Sequence, residues 1–551
     1  MGHETMECYR HVFPLKCRDD VCRLFASELE KSEPNLLLLS LVVGAIEAGY
    51  CSSTTTHACK KFKVACNWDR VDDDPFPLEM SLVEIQYNRF LAELHNFVLP
   101  SRPLQNHEGY TMRSTIKMIA DFVWKPLSNS FYKDKPHIQS IYSFMTLRLL
   151  DCFGLALTVV AACQQLGLYD VHLALSEDHA WIVFDQNGRE TAEIAWIGKG
   201  NDKKRGQPIE KDAPDYNWLY LNGHPVICTR HMEAAAIATS MNPGINSKTD
   251  SEHHGQLQQA LLWLFFDKQH IDRYPMAQGT LGDLEEIDAT LGRPSAEVVF
   301  RLGIEASCLY YSNAHVYPHT FLGGYLFRQG RFKEAMQCWM DAAFVVSSYR
   351  YNKEDSEVYK EFYEIVHDFL PHIVKSPSGK ELRTDTEFYA MILTFFDRIC
   401  VWEMESQTPV VHSDWAKSIL SVLTKFPSTV RQKAPDTQIN VICIKSHGTA
   451  SNVLPPWISL AAQKAIDCAC HMSRVLCANH GHVCARRAAL PELQYAKQQF
   501  EIRSKKLLGV SDMLTVAEKL NVAALQLQLT ALSQTTDITV ARSRKRRQNC
   551  L

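Results

Sequence analysis

The chain has 551 residues, 46% of them hydrophobic, and a formal net charge of -4. This suits a large protein of several packed parts and excludes a global field that would draw it onto nucleic acid or a membrane surface. The first ten residues contain Glu4 and Glu7 and no apolar stretch, so no secretory signal is expected, and the 18 cysteines follow no framework spacing, as in proteins that keep their thiols reduced.

Asp19 and Asp20 precede a helical pattern of Val21, Leu24, Phe25 and Leu29 that Pro34 closes. The longest apolar run, Leu36 to Ile46, is too short to span a bilayer and reads as a core helix over 36–48. Cys51 to Pro77 is polar and reads as a surface loop, and its Cys51, Cys59 and Cys66 lack partners at zinc spacing. Helices are expected over 80–98 and 113–127. The stretch DCFGLALTVVAACQQLGLYDVHLALSEDHAWIVFDQNGRETAEIAW then changes period. Leu155, Val159, Ala162 and Leu166 repeat at helical spacing up to Gly167, which predicts a helix over 153–166. Val171, Leu173 and Leu175 alternate as in a strand, 179–184 is rich in strand formers, and Asn187-Gly188 is a type I′ hairpin signal before a strand over 190–196.

The lysine-containing GKGNDKKRGQP loop lacks phosphate-loop spacing and reads as solvated. A second hairpin is expected over 218–229, around Asn222-Gly223. Helical patterns follow at 232–241, 256–270, 296–311, 316–328, 332–347, 354–370 and 388–405. GGYLFRQGRFKEAMQCWMDAA has the rhythm of a tetratricopeptide hairpin. Such helix pairs stack because one alone cannot bury its apolar face, and the stack leaves a concave surface. Glu357, Glu361, Glu364 and Asp368 then fall on one helix face beside an apolar stripe of Val358, Phe362, Ile365 and Phe369. A strand over 410–412, a helix over 414–423, a linker over 433–489 and helices over 490–508 and 513–532 complete the pattern. Cys468, Cys470, His471, Cys477, His480, His482 and Cys484 match no zinc-finger spacing, so neither a metal site nor a cofactor is expected. Arg542, Arg544, Lys545, Arg546 and Arg547 form a basic cluster of nuclear-localisation type, which also attracts phosphate weakly and without reading sequence.

Cys152 at the head of a buried helix, the Leu-Gly-Leu exit and the His179-Ala-Trp strand opening resemble the transglutaminase-like core, whose catalytic Cys and His match Cys152 and His179. With FYKDKPHIQSIYSF before them and SEDHAWIVF, TAEIAW and GKGN within or after, the run resembles the menin family from VFPLK to the Glu-rich helix, with weaker patches beyond. The resemblance implies a mainly α fold with a small β component. Its parts would be an N-terminal helical part (1–110), a transglutaminase-like domain (111–229), a tetratricopeptide-like palm (230–385), helical fingers (386–432), the linker (433–489), and a C-terminal helix with the basic tail (490–551).

It also implies a nuclear scaffold without enzymatic activity, regulating transcription and histone H3 lysine-4 methylation. The implied partners are a mixed-lineage-leukemia-type histone methyltransferase, a JunD-type transcription factor and the chromatin adaptor LEDGF. Carried over residue by residue, a cavity for an Arg- and Phe-containing peptide would use Asp134, Ser176, Asp178, His179, Ala180, Tyr274, Met276, Tyr317, Phe321, Trp339, Glu357, Glu361 and Glu364. Phe153, Ala236, Thr239, Thr280 and Thr320 replace side chains found there in other members. The chemistry is sensible: carboxylates match a guanidinium fork, and aromatic walls hold a Phe or Pro.

The alternative is a cysteine acyltransferase or peptidase using Cys152 and His179. It needs a third group to orient the imidazole. A two-residue turn at Asn187-Gly188 sets Glu193 opposite Ile182, on the face away from His179, whereas a one-residue bulge reverses that parity. The regular turn therefore leaves the imidazole without its carboxylate, and the expectation is no enzyme.

Overall fold

A computed structural model describes residues 6–50, 76–99, 103–127, 137–195, 205–209, 217–241, 251–349, 356–377, 379–403, 418–419 and 421–431. The loop expected over 51–77, the 198–208 loop, Asp134, Trp196, the strand over 410–412, the linker, the two C-terminal helices and the basic cluster fall wholly or largely outside the described residues. The chain divides into two units, residues 1–361 and 362–551.

The first unit is built around the helix Leu36–Tyr50, in which every residue is buried. A helix apolar on all sides has to be central, and Met80–Val98, Ile141–Leu147, Cys152–Gln165 and Arg230–Thr239 pack around it. Gly44 permits the closest approach, because a Cβ there would lie 2.2 Å from Ser140 Oγ. Helix Cys152–Gln165 starts where expected because the Asp151 carboxylate accepts the Gly154 N–H at 2.7 Å.

The sheet is antiparallel in the order β3 (Glu190–Ala192), β2 (Ala180–Phe184), β1 (His172–Leu175), β4 (Val226–Ile227). Alternation along the strands sends Leu173, Leu175, Ile182 and Phe184 into the main core, while Ala174, Trp181 and Val183 form a smaller cluster on the opposite face. Two expectations are corrected here. The β2–β3 connection is not a two-residue turn: Asp185 takes φ 74°, a 3-10 turn covers Gln186–Gly188, and Ile182 pairs with Ala192. The register is therefore one residue from that of a type I′ hairpin. Nor does 218–229 form a hairpin, for Trp218–Gly223 is a 3-10 segment and β4 pairs with β1 instead.

A run of helices follows: Ser251–Asp267, Pro275–Ile287, Ala296–Tyr310, Tyr317–Arg328 and Phe332–Val346, each packed on the next. The last two are the helical hairpin expected from GGYLFRQGRFKEAMQCWMDAA. They meet closely at Gly323, where a Cβ would fall 2.5 Å from Trp339 Nε1. Ile141–Leu147 and Pro275–Ile287 were not among the expected helices.

The division between units falls within the helix Ser356–Glu364. In the second unit a π turn, Ile365–Phe369, interrupts the α pattern. Its wider turn changes the helical phase, so Asp368 does not continue the line of Glu364 as an unbroken helix would have it. Phe362 packs against Phe395 and Trp402, with ring centroids 6.0 and 5.9 Å apart.

Candidate functional site

A cavity of about 550 Å³ opens in the first unit. The tight turn between β1 and β2 supplies one wall: Ser176 N–H donates to the His179 carbonyl at 2.9 Å, and His179 N–H donates to Ser176 Oγ at 3.0 Å. That closure holds Glu177 and Asp178 at the mouth of the hairpin. The start of helix Pro275–Ile287 supplies Tyr274 and Met276 opposite, and the same helix supplies Asp283 two turns further along. The Pro at the first helical position suits a helix start, where no N–H bond is lost.

Glu177 joins the hairpin to the next helix. It is 8% exposed, and its carboxylate accepts from Trp218 Nε1 at 2.7 Å and from the N–H groups of Val316 and Tyr317 at 2.9 and 2.6 Å. A side chain 140 residues away thus caps the start of Tyr317–Arg328. Burial, only partly offset by these donors, pushes the Glu177 carboxyl up to about 7. Tyr317 beside it is half-buried. Burial and then the nearby Asp178, Glu177, Glu361 and Glu357 raise its phenol well above the usual range, which places it among four carboxylates. Asp283 is likewise raised by burial to about 7, against the pull of Arg328 and with added repulsion from Glu286 and Glu361. The site is therefore acidic, with apolar walls.

At its floor, Cys152 hydrogen-bonds with His179, whose Nε2 is 2.8 Å from Glu193 Oε2. Glu193 is also held by Ala195 N–H at 2.9 Å and the Tyr220 hydroxyl at 3.0 Å. This corrects the expected absence of an orienting carboxylate: with Ile182 opposite Ala192, Glu193 lies on the same face as His179. Burial opposes charge on His179, but Glu193 and Cys152 together outweigh it and raise the imidazole well above its ordinary value. Burial also raises the Cys152 thiol, despite the bond from His179. Glu193 thus favours the protonated form of His179, while burial disfavours the Cys152 thiolate.

The family model for Menin matches residues 6–447 of this chain. The chain belongs to the Menin family. A solved structure described as "Crystal structure of menin reveals the binding site for Mixed Lineage Leukemia (MLL) protein" is similar to it with a TM-score of 0.69 and 44% sequence identity, covering 79% of this chain and 94% of that one.

Of the residues carried over from the menin-family resemblance, Ser176, Asp178, His179, Ala180, Tyr274 and Met276 line this one cavity. Of the substituted positions, Phe153, Thr239 and Thr280 line it as well, while Ala236 and Thr320 are buried elsewhere in the core. Tyr317 and Phe321 are half-buried with ring centroids 5.8 Å apart. Trp339 is 1% exposed and packs behind Phe327 and Gly323. Glu357 pairs with Lys360 at 2.9 Å, Glu361 is half-buried, and Glu364 is exposed in the second unit. Sequence reasoning missed Glu177 and Asp283, and it set Glu193 on the face away from His179. Glu177 stands between two residues it did single out, and Pro275 was the signal for the helix that carries Asp283.

Proposed function

We propose that this menin-family protein is a scaffold that holds short Arg- and Phe-containing peptides of nuclear regulators in this cavity. The observation that carries the reading is one cavity walled by Asp178 and Ala180 from the hairpin and by Tyr274, Met276 and Asp283 from the helix opposite. A guanidinium pairs with two carboxylates in fork geometry, while an aromatic side chain fills the apolar wall. Tyr317, Phe321, Glu357 and Glu361 extend the surface for the rest of the peptide and Trp339 supports the aromatic wall from behind; Asp134 and Glu364 belong to the acidic set only as the family resemblance implies.

The similar menin, described as binding Mixed Lineage Leukemia protein, supports a histone methyltransferase of that type as the partner, and with it a role in histone H3 lysine-4 methylation. The resemblance adds a JunD-type transcription factor and LEDGF, and Arg542, Arg544, Lys545, Arg546 and Arg547 favour nuclear import. Titrating an Arg- and Phe-containing peptide into wild type and Met276→Trp tests the cavity itself. Filling it should weaken binding about tenfold or more, equivalent to about 1.4 kcal/mol, with the fold intact, and equal affinities would place the peptide elsewhere.

The Glu193 contact favours one second reading, acyl transfer by Cys152 with His179 as base and Glu193 as its orienting partner. The upward shift of the half-buried Cys152 thiol, caused by burial, weighs against it, since the thiolate is the nucleophile. A thiol-directed acyl-donor probe at neutral pH should label wild type no faster than Cys152→Ser. Labelling that depends on both Cys152 and His179 would replace the scaffold reading with an enzymatic one.

A further inference from the structure

Apart from the cavity, three potential ligands meet in the core of the first unit. Glu47 lies near the end of the wholly buried helix Leu36–Tyr50, His137 precedes helix Ile141–Leu147, and His254 is in the first turn of Ser251–Asp267. Glu47 and His254 are each 2% exposed and His137 8%. His137 Nδ1 is 3.5 Å from Glu47 Oε1, and His254 Nε2 is 3.2 Å from the same oxygen but out of line for a hydrogen bond. One donor nitrogen or oxygen from each of the three lies within 4.8 Å of the others, and the two imidazole rings, tilted by 48° to each other, have centroids 5.5 Å apart. His137 reaches this place with φ 65°, a left-handed conformation that is uncommon outside glycine and needs surrounding structure to hold it.

Hydrogen bonding alone serves this group poorly. A buried carboxylate is costly unless well paired, both imidazoles converge on one of its oxygens, and the His254 nitrogen is misaligned. We propose that Glu47, His137 and His254 form a binding site for a divalent transition metal of the zinc type, with water at the fourth position. Two imidazoles and one carboxylate are a known ligand set for zinc, at bond lengths of about 2.0–2.2 Å. Tetrahedral geometry at those lengths separates ligand atoms by about 3.3 Å, close to the two distances at Glu47. The remaining His–His edge closes by turning one ring.

The donor set also selects the ion. Calcium and magnesium want six or more oxygens, and soft copper(I) prefers sulfur. Because the ligands come from three remote segments, metal binding would tie those segments together and stabilise the fold. The same remoteness hid the site from sequence reasoning, whose zinc spacings are local.

The test uses the full-length chain stripped with chelator and titrated with Co²⁺ and Zn²⁺. Wild type should bind one Co²⁺ with a tetrahedral visible spectrum and no thiolate-to-cobalt charge-transfer band. Zn²⁺ should displace it and raise the melting temperature by several degrees. His254→Leu should lose that spectrum and that shift, with affinity falling about a hundred-fold or more, while its metal-free melting temperature stays at or above that of metal-free wild type, because Leu suits a buried position. Glu47→Gln, which keeps the shape, should show the same loss should His254→Leu fail to fold. Binding weaker than about 10 μM in wild type, a spectrum with thiolate character only, as from Cys468 to Cys484, or equal binding in wild type and both variants would overturn the proposal.

Discussion

Peptide affinity should rise about tenfold between pH 6 and pH 8, and Asp283 is the cause. Burial holds its carboxyl at about 7 in the free protein, whereas pairing with a peptide guanidinium requires the ionised form. About one carboxyl in eleven is ionised one pH unit below the pKa and ten in eleven one unit above, a tenfold ratio worth about 1.4 kcal/mol. Glu177 titrates in the same range, but its oxygens are turned to Trp218, Val316 and Tyr317 rather than to a ligand. Stability should run the other way. Because the folded pKa lies above the ordinary Asp value of 3.8, the contribution of Asp283 is fully present below that value and is lost as pH rises through about 7. Calorimetric titration of an N-acetylated, His-free peptide at pH 6, 7 and 8, with thermal melts at each pH, measures both. Asp283→Asn should flatten the affinity profile and remove part of the fall in melting temperature. A flat wild-type profile, or a slope that survives in Asp283→Asn, would refute the reasoning.

Two further outcomes follow from the same geometry. Glu177→Ala orphans three buried donors at about 1–3 kcal/mol each, less whatever water entering from the cavity restores. Differential scanning calorimetry should show a melting temperature several degrees lower, with peptide binding weakened because Tyr317 loses its anchor. Replacing Arg544, Lys545, Arg546 and Arg547 with Ala should reduce nuclear accumulation of a fluorescent fusion without changing its melting temperature, and unchanged import would place the signal in another segment.

Much of the helical framework was legible in the sequence, because long periodic segments carry their own signals. The helix over 80–98 has the expected bounds, the apolar run at Leu36 is the buried centre, and Asp151 caps the helix it precedes. What escaped depended on tertiary context. Gly279 and Gly282 weaken the local helix signal of Pro275–Ile287, yet they admit the rings of Phe321 and Phe300, whose carbons would lie 2.5 and 2.6 Å from an added Cβ. Both hairpin errors arose from reading Asn-Gly pairs locally. At the first, Asp185 rather than Asn187 takes the left-handed turn that sets the register, and that one-residue difference brings Glu193 to His179. At the second, the strand after Gly223 found a better partner in β1 than in its own neighbour. Six of the residues implied by the resemblance line the cavity, but Glu177 acts on backbone groups 139 and 140 residues away, which no local pattern records.

The central claim is that the acidic helix face serves a ligand rather than solvent. Titrating an Arg- and Phe-containing peptide into wild type and Glu361→Gln, and melting both proteins, tests it most directly. Removing one carboxylate from a guanidinium pair typically costs about 2 to 5 kcal/mol of binding, whereas a solvated carboxylate contributes at most about 1 kcal/mol. The account predicts a binding loss of about tenfold or more with a melting temperature little changed from wild type, because the amide keeps the shape of the side chain. Equal affinities for wild type and Glu361→Gln would contradict it.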